Sequence, residues 1–315
     1  MERRRGVTDP IPVEVEPCDQ ALYERQRIRP LLDHLLDPMV NLSPESEPRI
    51  LKLSGDLKFR LVLTNRWLMN YSHAERRVRV SSAAVEFIWA ASFAYYSMYQ
   101  GAVAGTPGGE GEFSKEVGEA LEQFRWAIDR AFFKKDSAWP DAPPIPVTVG
   151  TGDTSAHGVA SELSLVALGF LLLHELGHAD LGHSGEAENQ DILMMEADAD
   201  AVAVETALAS APPGSSRAEK VRLGIVIAFG IVLGIELVRW KRGGRRQDPT
   251  HPLAWQRLER ALARFHSEKD DPSWAFLTAV LATHMHHVGL DTSGTFEHAR
   301  DAAEALMGRL SELDW

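Results

Sequence analysis

The stretch LLLHELGHADLGH, residues 171–183, sets three histidines and a glutamate at the end of a run of leucines. His174 and His178 are four residues apart, so on a helix both imidazoles leave one face a turn apart and can reach a single ion. Glu175 then points beside that ion and can accept a proton from a water held there, the division of labour by which an HExxH helix supports zinc-dependent hydrolysis. Buried histidine nitrogens without partners are costly, so something must satisfy these two. A metal ion does so; a pair of core histidines bonded to carbonyls or carboxylates is the blander reading.

Two histidines need a third protein ligand. His183 lies five residues after His178, whereas the longer three-histidine signature places its last histidine six after the second, with a glycine turning the chain between them. Gly182 falls one step too late for that, so His183 reads as a residue that supports a ligand or closes the helix. MEADADAVAVE, residues 195–205, offers more. Glu196 and Asp200 are one helical turn apart, and Ala197, Ala199, Ala201 and Ala203 let their helix approach a neighbour closely. Glu196 is the expected third ligand, with Asp198 its competitor, and Asp200 is expected to hold a ligand histidine in its tautomer. Glu186, Glu188 and Glu205 read as a solvated acidic face. Two neutral histidines and one carboxylate leave Zn²⁺ with about one net positive charge, enough to bring its water to a pKa near ~7. In THPLAWQR, residues 250–257, His251 and Arg257 are candidates to stabilise an oxyanion. THMHH, residues 283–287, reads as a helix end.

The elements around these residues give an α+β chain, mostly helical. Residues 161–183 form an apolar, buried helix ending in the histidines, and a second helix over 194–210 carries the acids and stops at APPG. Further helices are expected over 81–100, from 113 into the Lys134–Lys135 pair, from Thr250 with Pro252 in the first turn, and over 272–287 and 296–313. A β-hairpin is expected from RILKL, an SGD turn and LKFRLVL, with Leu57, Phe59, Leu61 and Leu63 on one face; RRVRV at 76–80 adds a strand. IPVTVG, residues 145–150, reads as an edge strand over the active-site helix, able to align a substrate chain by strand addition. The chain therefore divides into an irregular arm over 1–48, where seven prolines interrupt any periodicity, an N-terminal lobe over 49–160, and a helical lobe over 161–315 that carries the site.

A formal charge of −12 argues against nucleic acid as a partner, because neutralising phosphates takes a concentrated basic surface. The lone Cys18 makes no intrachain disulfide, and the charged start has no apolar signal core behind it, so a cytoplasmic protein is expected. LGIVIAFGIVLGI, residues 223–235, is 13 residues long where a membrane span needs about 20; a buried helix is expected and stable membrane insertion is not.

Taken together, EFIWA, SAWP, VASE leading into HELGH, the Glu196–Asp200 ExxAD, the apolar RLGI helix and THPxxxxR resemble the Lit phage-exclusion peptidases over roughly residues 80–290. The resemblance implies a zincin-like fold with the active-site helix under a small edge sheet, and a cytoplasmic zinc endopeptidase of the HExxH/ExxAD gluzincin clan. Such an enzyme, activated by a phage-derived peptide during infection, cleaves elongation factor Tu. Carried onto this chain, His174, Glu175 and His178 occupy the metal motif, Glu196 and Asp200 the ExxAD, and His251 the HP position. Three other readings stand beside it: an immunity-repressor-type regulatory peptidase, a non-catalytic zinc-binding sensing module, and a membrane-embedded protease.

Overall fold

The computed structural model describes residues 13–15, 28–42, 44–64, 66–103, 115–133, 153–183, 189–243, 252–265 and 271–313. The expected edge strand at 145–150, the SAWP element and His251 lie outside these residues.

Alternation of apolar and charged residues makes KFRLV a strand, β2 (Lys58–Val62), with Phe59 and Leu61 buried. It pairs in parallel with β1 (Val13–Val15) on one side and with β4 (Arg77–Ser81) on the other, where Val78 and Val80 are buried. β3 (Met69–Ser72) lies antiparallel to β4, so among the described residues the order is β1-β2-β4-β3 and β3 is an outer strand. The hairpin is therefore β3–β4, not the expected pairing of RILKL with LKFRLVL. RILKL is helical instead, within α3 (Glu47–Asp56). Its alternation was ambiguous over so few residues; Pro48 sits in the first turn, and Ile50, Leu53 and Leu57 turn inward at helical spacing.

The expected arm is likewise partly ordered into the core. α1 (Arg29–Leu32) and α2 (Asp37–Leu42) bury Leu31, Leu32, Met39 and Leu42. A Cβ on Gly169 would stand 2.8 Å from Leu42 and 2.9 Å from Pro38, so that glycine is what seats α2 on the active-site helix.

That helix, α6, runs Ala156–Asp180, starting five residues before its expected position because Ser155 caps it by accepting from the Gly158 N–H. Around it pack α4 (Ser82–Val103), α7 (Asn189–Ala209) and α8 (Ser216–Lys241), with α5 (Lys115–Phe133), α9 (Ala254–Ala263), α10 (Pro272–Val288) and α11 (Ala299–Ser311) outside them. A single hydrophobic cluster extends from Ile28 to Leu310. Helices α6 and α8 are long and apolar enough to cross a membrane, yet 72% and 78% of their apolar windows are buried within the protein itself. The carboxylate of Glu86 on α4 is buried and meets Arg130 of α5 at 2.5 Å.

The THMHH segment does end a helix, which stops at Gly289 in the left-handed conformation (φ 82°). His284 within it is nevertheless a core residue. Its Nε2 bonds the Tyr95 hydroxyl, its ring also bonds the Gly230 backbone, and it fills the space a Cβ on Gly234 would need. Burial, with a contribution from His287, pushes its pKa down to about 3. The folded chain thus keeps His284 neutral while the unfolded chain takes up a proton below its ordinary value of about 6.5. Stability falls as pH drops through that window, by about 2 kcal/mol between pH 7 and pH 5 from this residue alone. Urea unfolding at the two pH values should show that loss in the wild type and not in His284→Gln; equal losses would contradict it.

Candidate active site

Two helices supply the site, and small residues decide how near they come. A Cβ on Gly177 would lie 3.3 Å from both the Cα and the carbonyl oxygen of Ala199, so α6 and α7 touch backbone to backbone within HELGH and EADAD. This approach carries Glu196 to the histidines. The Nε2 atoms of His174 and His178 are 3.2 Å apart, and the Glu196 carboxylate stands 3.4 Å from the first and 3.3 Å from the second. Ligand atoms about 2.0–2.1 Å from a tetrahedral ion are separated by about 3.3 Å. The His174, His178 and Glu196 group therefore has the donor types and the edge lengths to hold a metal ion. His174 and Glu196 are buried, and His178 nearly so. Asp198, the competing ligand, points outward and is exposed.

Charge is arranged behind the ligands. Nδ1 of His174 lies 2.9 Å from Asp200, close enough for attraction although short of a well-aligned hydrogen bond. Burial by itself would lower the His174 pKa, but Asp200 and Glu196 together push it up to about 10, which marks this as a place that holds positive charge. Asp200 is fixed in turn by Arg257 of α9, whose Nε and Nη2 donate to its two oxygens at 2.7 and 2.6 Å. Burial would raise the Asp200 pKa; Arg257 and then His174 hold it below the ordinary value. Arg257 also lies 3.6 Å from Glu196 and is itself buried. The expectation that it donates to an oxyanion is thus corrected: its fork is spent on the carboxylates behind the ligands.

Glu175 is half-buried beside the ligands, and its Oε2 accepts from the backbone N–H of Tyr71 on β3 at 2.6 Å. The sheet's outer edge thereby meets the active-site helix. Beyond Tyr71 the exposed His73 packs against its ring, centroids 4.5 Å apart, and lies within electrostatic reach of His178. Sequence reasoning missed both residues. A backbone amide leaves no signature in residue types, and His73 sits in a turn 101 residues before His174 with no motif around it. His183 folds back so that its Nδ1 lies 3.0 Å from Nδ1 of His178.

A metal ion held at this site and a carboxylate beside it make up the equipment for adding water to a peptide carbonyl. The comparisons with known proteins agree. Residues 78–277, from β4 into α10, match the family model described as peptidase U49. The cell death peptidase of Escherichia coli strain K12 is 22% identical over 258 residues, which cover 78% of this chain and 84% of that protein. No solved structure matches.

Gly177→Ala tests the approach of the two helices. Alanine gains about 0.8–1.0 kcal/mol in helix propensity over glycine, so thermal stability should change little. The added methyl meets backbone that cannot rotate away, and divalent metal retained after gel filtration, with added Zn²⁺ as the probe, should fall at least about tenfold. Full retention would show that the contact is not what seats Glu196.

Proposed function

The chain belongs to the peptidase U49 family, whose model spans residues 78–277, and on the premise that it is a Lit-type peptidase we propose that it is a zinc-dependent endopeptidase of the gluzincin kind. The observation that carries this reading is the 3.2–3.4 Å triangle of His174, His178 and Glu196 with Glu175 fixed at its side. When bound, Zn²⁺ supplies Lewis acidity, acidifying a water and polarising a peptide carbonyl. Glu175, anchored through Oε2, keeps its other oxygen to take a proton from the attacking water and deliver it to the leaving amine. Asp200 and Arg257 hold the ligands in place.

Beside the strand expected at 145–150, which lies outside the described residues, β3 offers an edge on which a substrate can align. Ser81 donates its N–H to the Leu68 carbonyl, so Leu68 and Asn70 face β4 while the backbone groups of Met69 and Tyr71 face away from it. An extended segment of a target protein can add along that side, next to Glu175. In the proposed setting the target is a cytoplasmic protein, a translation factor of the elongation factor Tu type, cut in response to a phage-derived peptide as an antiviral defence. The net charge of −12 fits a protein partner better than nucleic acid.

Glu175→Gln separates a peptidase from a zinc-binding sensor that leaves the chemistry to another protein. The variant should keep its zinc and lose three or more powers of ten in cleavage rate, about 4 kcal/mol of transition-state stabilisation. Cells expressing wild type or variant, with and without phage, would be compared by mass spectrometry of new protein termini. A cut in one translation factor with the wild type alone is expected; identical termini in both would overturn the enzymatic reading.

A further inference from the structure

The two histidine ligands are backed differently. The outer nitrogen of His174 faces a carboxylate, Asp200, whereas that of His178 faces the imidazole of His183 at 3.0 Å. This second contact is built by the end of the active-site helix. Gly182 adopts φ 66°, which only glycine enters without strain, and reverses the chain so that the His183 N–H donates to the His178 carbonyl at 3.0 Å and the Gly182 N–H to that of Ala179 at 3.3 Å. The glycine that comes one step late for a third ligand places His183 behind the second one. His183 is buried there, 9% exposed, with ring centroids 5.2 Å apart and planes inclined at 67°.

We propose that His183 is a positioning residue that fixes the tautomer of His178 by accepting its Nδ1 proton. The inference rests on reading His174, His178 and Glu196 as a metal site. A nitrogen–nitrogen hydrogen bond needs one donor and one acceptor. Were His183 the donor, a neutral His178 would carry its proton on Nε2 and could not bind an ion. His178 must therefore donate, and His183 must be neutral, with its proton on Nε2 and the Nδ1 lone pair turned to His178. A neutral acceptor also preserves the charge of the centre. A divalent ion, Glu196, Asp200 and Arg257 sum to about one positive charge, and a carboxylate at position 183 would cancel it.

The test uses two substitutions of similar size. Asparagine places its Oδ1 where Nδ1 of histidine stands, and leucine fills the same space without an acceptor. Zn²⁺ affinity of the full chain, measured by competition with a chromophoric chelator, should fall about 10–100-fold in His183→Leu and stay within about threefold of wild type in His183→Asn. Thermal unfolding of the metal-free proteins should not separate the two variants. In wild-type protein labelled with ¹⁵N-histidine and loaded with Zn²⁺, His178 should show an Nδ1–H and His183 an Nε2–H. Wild-type affinity in His183→Leu, equal weakening in both variants, or an Nδ1–H on His183 would overturn the proposal. His174→Ala serves as the control: if it too leaves Zn²⁺ affinity unchanged, the metal-site reading has failed rather than the role of His183.

Discussion

Everything chemical in this chain depends on the contact between Gly177 and Ala199. Helices usually pack with their axes about 8–10 Å apart, the distance depending on the side chains at the contact. Here the facing residues are a glycine and an alanine, and a Cβ on Gly177 would lie 3.3 Å from the Ala199 backbone. Close approach in turn concentrates charge. Glu196, Asp200, His174 and Arg257 are all buried within one small volume, where each would be costly by itself. They persist because they alternate in sign: Arg257 against Asp200, Asp200 against His174, Glu196 against both histidines. The ligand cage and its electrostatic support are therefore one packing arrangement and cannot be optimised separately.

The motif was legible because helical geometry makes spacing equivalent to direction. HExxH and ExxAD each lie within one turn, so residue types alone fixed which faces they share, and the alanines of 197–203 indicated a close neighbour. Glu196 was ranked above its competitor Asp198, and the inward face of α7 agrees: Glu196 is buried and Asp198 exposed. Arg257 was found but given the wrong partner, since its fork could equally face a substrate or a carboxylate 57 residues earlier in the chain. The long apolar helices were legible too, although their ends were not: Ser155 and Ser215 cap α6 and α8 well before the apolar runs begin.

The sheet was harder. RILKL satisfies a strand pattern and a helix pattern at once over five residues, and the choice was made by Ile50 and Leu53 facing the same core. The short helices α1 and α2 carry no periodicity of their own; α2 is ordered by packing against α6, and α1 by burying Leu31 and Leu32 in the common core. Such elements are specified by what they land on, which a single sequence does not display.

The grip of Tyr71 on Glu175 is made by a peptide group, and this sets what evolution can alter near the scissile bond. Any residue except proline offers the same N–H at that position, so the anchor of the carboxylate does not depend on which side chain stands at 71. The hold on Glu175 is thereby uncoupled from the identity of the side chains on Met69–Ser72.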